Sequence, residues 1–289
     1  MKLFIRIIYL VNLSLLPFPV IAQNYNPSKI FDVHLHAQKD MNKQLQDFKK
    51  YNIIRGAFSS SWDNVEKYRT VTGVKLLFGL MFPCPNGIVP YSGQKCFNNG
   101  KEFPDVNWVK QQILDKKIDF LGELLNEYYG VSPADSIMFP YYALAREFNL
   151  PVGIHTGGVG PGNLCPNVDS SMGNPILMKD ILIKFPGLKI WIMHAGLPYL
   201  KETLTILAAY PQVYADISVI ANPDIKDKDE FQSYMKSLIN AGFENRLMFG
   251  SDNGDYTKMI KAVNELDFLT FLQKEKIFYK NADRFFGNK

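Results

Sequence analysis

The sequence predicts an α/β fold, a single (β/α)8 TIM barrel. Three observations predict it. Short apolar runs alternate with helix-like stretches along the chain after residue 22. Eight such runs fit into about 250 residues, the usual size of one such barrel. All four histidines fall at the ends of those runs, where a barrel gathers its functional side chains. Strands that alternate with helices pair in parallel through crossovers. The competing arrangement, an open doubly wound sheet, would show a glycine-rich first turn, and none is present.

The first run, "KIFDVHLH", alternates, so as a regular strand it sets Phe31, Val33 and Leu35 on one face and Asp32, His34 and His36 on the other. "IIRGAFSS" and "VKLLFGLMF" follow, and "IDFLGEL" brings Glu123 to the end of a fourth run. "PVGIHTGG" ends with His155, "LKIWIMHAG" with His194, "VYADIS" is the seventh run and "RLMFGSDN" ends with Asp252. Amphipathic segments at 105–116, 134–148, 175–185 and 200–209 supply helices between them. Ser132-Pro133 starts one of these, Asn149-Leu150-Pro151 stops it, and Pro186-Gly187 stops the next. Two long loops, 83–104 and 156–174, both follow strands and so belong to the active face of a barrel. The glycines of "TGGVGPGN" do not have phosphate-cradle spacing and read as flexible lid.

Residues 1–22 have the make-up of a secretory leader. Lys2 and Arg6 precede a short apolar core, and Val20 and Ala22 have the spacing read by a signal peptidase. The apolar core is too short and too proline-rich for a spanning helix. The expectation is an exported protein, periplasmic or secreted, with residues 23–289 forming one barrel domain and not spanning a membrane. Lys and Arg total 32 against 28 Asp and Glu, two of the cations lying in the leader, so no basic stripe suggests nucleic acid. Export permits disulfides. Cys84 and Cys96 flank one loop and form one candidate pair, which leaves Cys165 over; three unpaired thiols are the alternative. The sequence sets no oligomeric state.

Two imidazoles side by side at a strand end make a two-point claw for a metal. Taken alone, each histidine reads as a hydrogen-bonded core residue, and each acid as a helix cap. Together, His34, His36, Glu123, His155, His194 and Asp252 end separate runs and would meet at one mouth, where buried carboxylates need a partner. That convergence points to a divalent metal centre. Asp32 reads either as a group that fixes the imidazole tautomers or as a strand-start cap.

The ordered set His-x-His, "GIHTG", "MHAG" and "FGSD", with the tail "KNADRFFGNK", resembles the amidohydrolase superfamily, in its amidohydrolase-related (Amidohydro_2) branch. The resemblance covers nearly the whole chain after the leader. It implies one or two divalent ions, usually Zn²⁺, at the barrel mouth. His34, His36, His155 and Asp252 carry over as ligands, and His194 as a ligand or an acid/base group. Glu123 stands where some members, such as the TatD-like deoxyribonucleases, bridge two metals; as a support outside a one-metal site it has an alternative role. The implied activity is hydrolysis of a lactone, ester or amide in a small-molecule substrate by metal-bound hydroxide, with Asp252 and His194 as catalytic groups. A metal-dependent decarboxylase and a non-catalytic binding barrel are the alternatives. Trp62, Tyr91, Tyr128, Tyr129 and Tyr199 follow strands as candidate pocket walls, and Arg55 is a candidate for meeting an anionic substrate.

Overall fold

The computed structural model describes residues 27–97, 99–160, 163 and 165–287; the expected leader, 1–22, lies outside them. All eight predicted strands form: β1 (Ile30–Leu35), β2 (Ile53–Phe58), β3 (Lys75–Phe82), β4 (Phe120–Leu124), β5 (Val152–Ile154), β6 (Ile190–Ile192), β7 (Tyr214–Asp216) and β8 (Leu247–Met248). They pair in parallel in chain order, β1 to β8. Two hydrogen bonds bring the ends together, from Val33 N to Phe249 O (3.0 Å) and from Asp252 N to His34 O (2.9 Å). The barrel is therefore nearly closed.

The helices are α1 (Met41–Lys50), α2 (Trp62–Tyr68), α3 (Val106–Leu114), α4 (Asn126–Tyr129), α5 (Phe139–Glu147), α6 (Met178–Lys184), α7 (Leu200–Ala209), α8 (Lys228–Asn240), α9 (Tyr256–Asn264), α10 (Phe271–Glu275) and α11 (Asn281–Phe286). Asp40, Asp105, Asp227 and Asp255 cap α1, α3, α8 and α9 by accepting a backbone N–H from the first turn. The predicted helix at 134–148 is shorter than expected: a 3₁₀ turn at Ser136–Met138 precedes α5, whose first turn holds Pro140, where its missing N–H costs nothing. The segment at 175–185 likewise opens with a 3₁₀ turn at Pro175–Leu177 before α6.

Side chains from the strands form two apolar layers. Phe31, Val33, Ala57, Leu77, Phe120, Trp191, Met193 and Met248 fill the barrel interior, and Ala282, Phe285 and Phe286 of α11 plug it. Ile30, Leu35, Leu80, Leu121 and Ile154 pack with helix residues such as Val65, Val109 and Leu207 in the surrounding layer. The interior rings need room. A Cβ on Gly79 would collide with Phe120, and one on Gly153 with Trp191. Arg55 belongs to the plug. It pairs in register with Phe31 and Lys75 near the strand starts, and donates to Asp283 Oδ1 (2.5 Å) and Gly287 O (3.0 Å). It therefore ties down the tail, and the expected contact with substrate is not its role here.

The plain alternation predicted for the first strand is interrupted. Between Asp32↔Gly56 and Leu35↔Phe58, β1 spends one residue more than β2. This bulge leaves Phe31 and Val33 in the interior layer but sends Leu35 to the helix layer, so the three do not share a face. β4 has the same irregularity against β5, between Leu121↔Val152 and Leu124↔Ile154. Bulges re-aim side chains beside functional sites, and these two sit directly at His34 and at Glu123.

Candidate metal centre

The six predicted site residues come together at the C-terminal mouth of the barrel. Donor atoms of His34, His36 and Asp252 lie within 4.8 Å of one another, as do those of His34, Glu123 and His194. Glu123 is the hub. Its Oε2 is 3.3 Å from His36 Nε2 and 3.6 Å from His34 Nε2; its Oε1 is 2.6 Å from His155 Nδ1 and 3.6 Å from His194 Nε2. Asp252 Oδ1 stands 3.3 Å from His36 Nε2 and 3.9 Å from His34 Nε2. His155 joins the cluster through Glu123 and His194 but belongs to neither compact donor group. The expected placement at strand ends needs two corrections. Asp252 lies beyond Met248, the last residue of β8, in a turn where both it and Asn253 have left-handed φ (47° and 57°), and His194 lies beyond Ile192, the last residue of β6, in a 3₁₀ turn with a left-handed φ of 60°.

Hydrogen bonds fix three of the rings. His36 Nδ1 donates to the Ser59 carbonyl (2.7 Å). His34 Nδ1 donates to Asp216 Oδ2 (3.2 Å), since a carboxylate only accepts. Ser218 Oγ gives its one proton to Asp216 Oδ1 (2.7 Å), so it accepts from His194 Nδ1 (2.9 Å). In its neutral form, each of these three rings then directs the lone pair of Nε2 toward the cluster. The Nε2 of His34 is buried with no hydrogen-bond partner. A buried, unpartnered nitrogen beside imidazoles and carboxylates fits a divalent cation with mixed N/O ligands, such as Zn²⁺.

The charges agree with this. Burial would raise Glu123, but the imidazoles of His155, His194, His34 and His36 hold it well below the usual carboxylate range. Burial disfavours a charged His36, yet Asp252 and Glu123 raise it to about 9. Carboxylates and imidazoles thus balance one another's charge here.

Asp216 was missed by sequence reasoning. It is fully buried at the end of β7, faces His34, and accepts from the backbone N–H of both His194 and Ser218 (3.1 Å each). Burial alone would raise it; the His34 imidazole outweighs burial and holds it at about 2. The sign that marked Glu123 and Asp252, an acid ending an apolar run, also stands in "VYADIS". Asp32 had been a candidate for the tautomer-fixing role. It touches no imidazole, and accepts instead from His34 N (3.0 Å), Ser251 N (2.9 Å) and Tyr256 OH (2.7 Å), the behaviour of a cap.

Above the cluster lies a cavity of about 270 Å³ walled by Ser60, Met81, Tyr91, Gln94 and Tyr128, with His36, Glu123, His155, His194 and Asp252 in its floor. A second space of about 430 Å³ shares Tyr91 and Tyr128 and extends past Leu197, Val219 and Ile225 to Lys226. The other candidate wall residues are engaged elsewhere. Trp62 packs on Trp108, Tyr129 donates to Glu102, and Tyr199 donates to the Ser170 carbonyl. The two long loops meet over the mouth through Tyr91 OH, which donates to Gly160 O (2.6 Å). A Cys84–Cys96 disulfide pins the first loop, and Cys165 is unpaired.

A parallel barrel with imidazoles and carboxylates gathered at its C-terminal mouth has the architecture of an enzyme able to use a metal ion. The amidohydrolase family profile matches residues 119–287, more than half of the chain, and the chain belongs to that family. Among solved structures, an uncharacterised TIM-barrel protein of Bordetella bronchiseptica is similar at 18% identity, with 89% of this chain and 98% of that chain covered and a TM-score of 0.65. A putative 2-pyrone-4,6-dicarboxylic acid hydrolase of Pseudomonas putida is similar at 14% identity, with 90% and 97% covered and a TM-score of 0.61. A 5-carboxyvanillate decarboxylase of Novosphingobium aromaticivorans, solved with bound manganese, is similar at 14% identity, with 84% and 80% covered and a TM-score of 0.58. A stretch of 142 residues is 22% identical to Protein fluG of Emericella nidulans; it covers 49% of this chain and only 16% of that protein.

Proposed function

We propose that this enzyme is an exported hydrolase that cleaves a lactone, ester or amide bond in a small molecule, with a divalent cation held by His34, His36 and Asp252 and supported by Glu123, His155 and His194. The observation that carries this reading is the pair of compact donor groups, His34–His36–Asp252 and His34–Glu123–His194, each within 4.8 Å and joined at His34 beneath an open cavity. A divalent ion in this position supplies Lewis acidity and a water of lowered pKa; Zn²⁺ suits the donors, and the manganese of the decarboxylase neighbour makes Mn²⁺ the second ion to test.

The chain's own residues divide the remaining work. Asp252 is the cluster carboxylate with a side chain one-third exposed, whereas Glu123 is nearly covered. It takes the proton from the attacking water and passes it to the leaving group. His194, whose Nδ1 donates to Ser218, keeps the lone pair of Nε2 toward the cluster, where it serves as a ligand or accepts a proton. Tyr91 and Tyr128 shield the reaction from bulk water, while Ser60 and Gln94 offer hydrogen bonds to the substrate. Support for export comes from the leader at 1–22 and from the disulfide, a bond that persists in oxidising compartments.

Purified protein is expected to carry one or two equivalents of divalent metal by elemental analysis. Its turnover of a panel of lactones, esters and N-acyl amino acids should disappear on chelation and return with Zn²⁺ or Mn²⁺. Asp252→Asn should keep the fold and lose at least about a hundredfold in kcat, as expected when a general base is removed; full activity in that variant would remove Asp252 from the mechanism. Decarboxylation is the second reading, favoured by the likeness to the decarboxylase barrel. Release of CO₂ from aromatic acids, with no hydrolysis of the panel, would establish it instead.

A further inference from the structure

The turn after β4 carries a buried carboxylate that the proposed chemistry does not use. Glu127, on α4, is fully buried, and neither of its oxygens has a hydrogen-bond partner among the described residues. Its Oε2 lies 3.5 Å from Nε2 of His155, which is also buried and unpartnered. The loop at 156–174 is shaped to cover it. Gly173, whose carbonyl accepts from Gly157 N (2.9 Å), passes so close that a Cβ there would strike Glu127 Oε2.

The opposite ring nitrogen of His155 faces the centre, with Nδ1 2.6 Å from Glu123 Oε1 and 3.2 Å from His194 Nε2. A neutral imidazole has one proton to place. Beside the Glu123 carboxylate Nδ1 is a donor; to bind a cation there, His155 must give up that proton and keep one on Nε2, where the facing acceptor is Glu127. We propose that Glu127 is a positioning residue: it accepts the Nε2–H of His155, sets the ring's tautomer and angle, and so commits Nδ1 to the cation. A carboxylate behind a ligating histidine also makes the imidazole a stronger donor. The proposal rests on the reading of the cluster as a cation site. It also explains how His155, which stands outside both compact donor groups, is drawn into it.

The test is cation affinity rather than turnover. Zn²⁺ and Mn²⁺ are titrated into metal-stripped full chain against a chromophoric chelator, for wild type, Glu127→Gln and Glu127→Leu, each with and without His155→Ala. Thermal melts report the fold. Glu127→Leu should weaken binding about 10- to 100-fold, the usual cost of losing such a partner. Glu127→Gln, whose amide oxygen still accepts, should lose less. In the His155→Ala background Glu127→Leu should change nothing further. Ring ¹⁵N shifts of the Zn²⁺-loaded wild type should show His155 protonated on Nε2; this readout needs no variant at Glu127. Wild-type binding of a cation with an indifferent Glu127→Leu, equal losses in both backgrounds, or a proton on Nδ1 would overturn the role of Glu127 alone. A wild type that binds neither cation overturns the metal-centre reading and this one with it.

Discussion

Asp216 touches no substrate cavity, yet it orders half of the histidines. Through Oδ1 it holds the backbone of His194 and the Ser218 hydroxyl, and through Oδ2 it holds the ring of His34. Removing one member of a buried charged set leaves the rest unpaired, which typically costs about 3–5 kcal/mol. Asp216→Ala is therefore expected to lose about that much in denaturant unfolding and to bind cation more weakly than wild type. An unchanged midpoint would show that Asp216 is replaceable. At this scale much of the site is legible in the sequence. The four histidines, Glu123 and Asp252 stand at the ends of apolar runs, where a polar side chain calls for an explanation. Glu127 is not legible, because an acid in the first turn of a helix is ordinarily a solvated partner of the helix dipole. Only the loop folded over it makes it buried.

The bulges in β1 and β4 separate what sequence shows about an element from what its neighbour decides. The strands themselves follow from short apolar runs bounded by turn residues. Strict alternation, however, assigns Asp32 and His34 to one face, and the extra residue of β1 against β2 breaks that phase. A bulge is a property of a pair of strands, so no single run announces it. The same holds for the loop at 83–104. Its two cysteines left two readings open, and the fold resolves them by bringing the Cα atoms to 6.3 Å. A disulfide closing a loop of this size contributes about 3 kcal/mol, mainly by restricting the unfolded chain. The double variant Cys84→Ser, Cys96→Ser should lose about that much stability. Because the pinned loop carries Tyr91 into the cavity wall, KM should rise more than kcat falls; the reverse would place the loop's influence on the chemistry instead.

Across the whole molecule, the barrel separates stability from function by its two ends. The interior is packed around Trp191, which meets Phe120, Phe285 and Phe286 at ring-centroid distances of 5.3, 5.9 and 5.3 Å. Trp191→Ala should cost about 3–5 kcal/mol, as large-to-small core changes do. Arg55→Ala should loosen the tail and lower the melting temperature by a few degrees, about 2–4 °C for each kcal/mol in a chain of this size, while KM stays near wild type because Arg55 lies at the strand starts. A large rise in KM would return Arg55 to the substrate. The eightfold order was legible because each crossover repeats the same pattern; the tail carried the family resemblance, but its role as a plug was not legible, since "ADRFFG" shows no partner until the barrel it fills is present.

The seam between the first and last strands has a consequence for how the protein is made. His34 and His36 leave the ribosome early and Asp252 late, and the hydrogen bond from Asp252 N to His34 O joins them directly. A nascent chain thus holds its two claw histidines open through almost all of synthesis. On the proposed ligand set, a chain stopped before residue 252 would lack the acid that completes the His34–His36 group, although the His34–Glu123–His194 group lies wholly upstream.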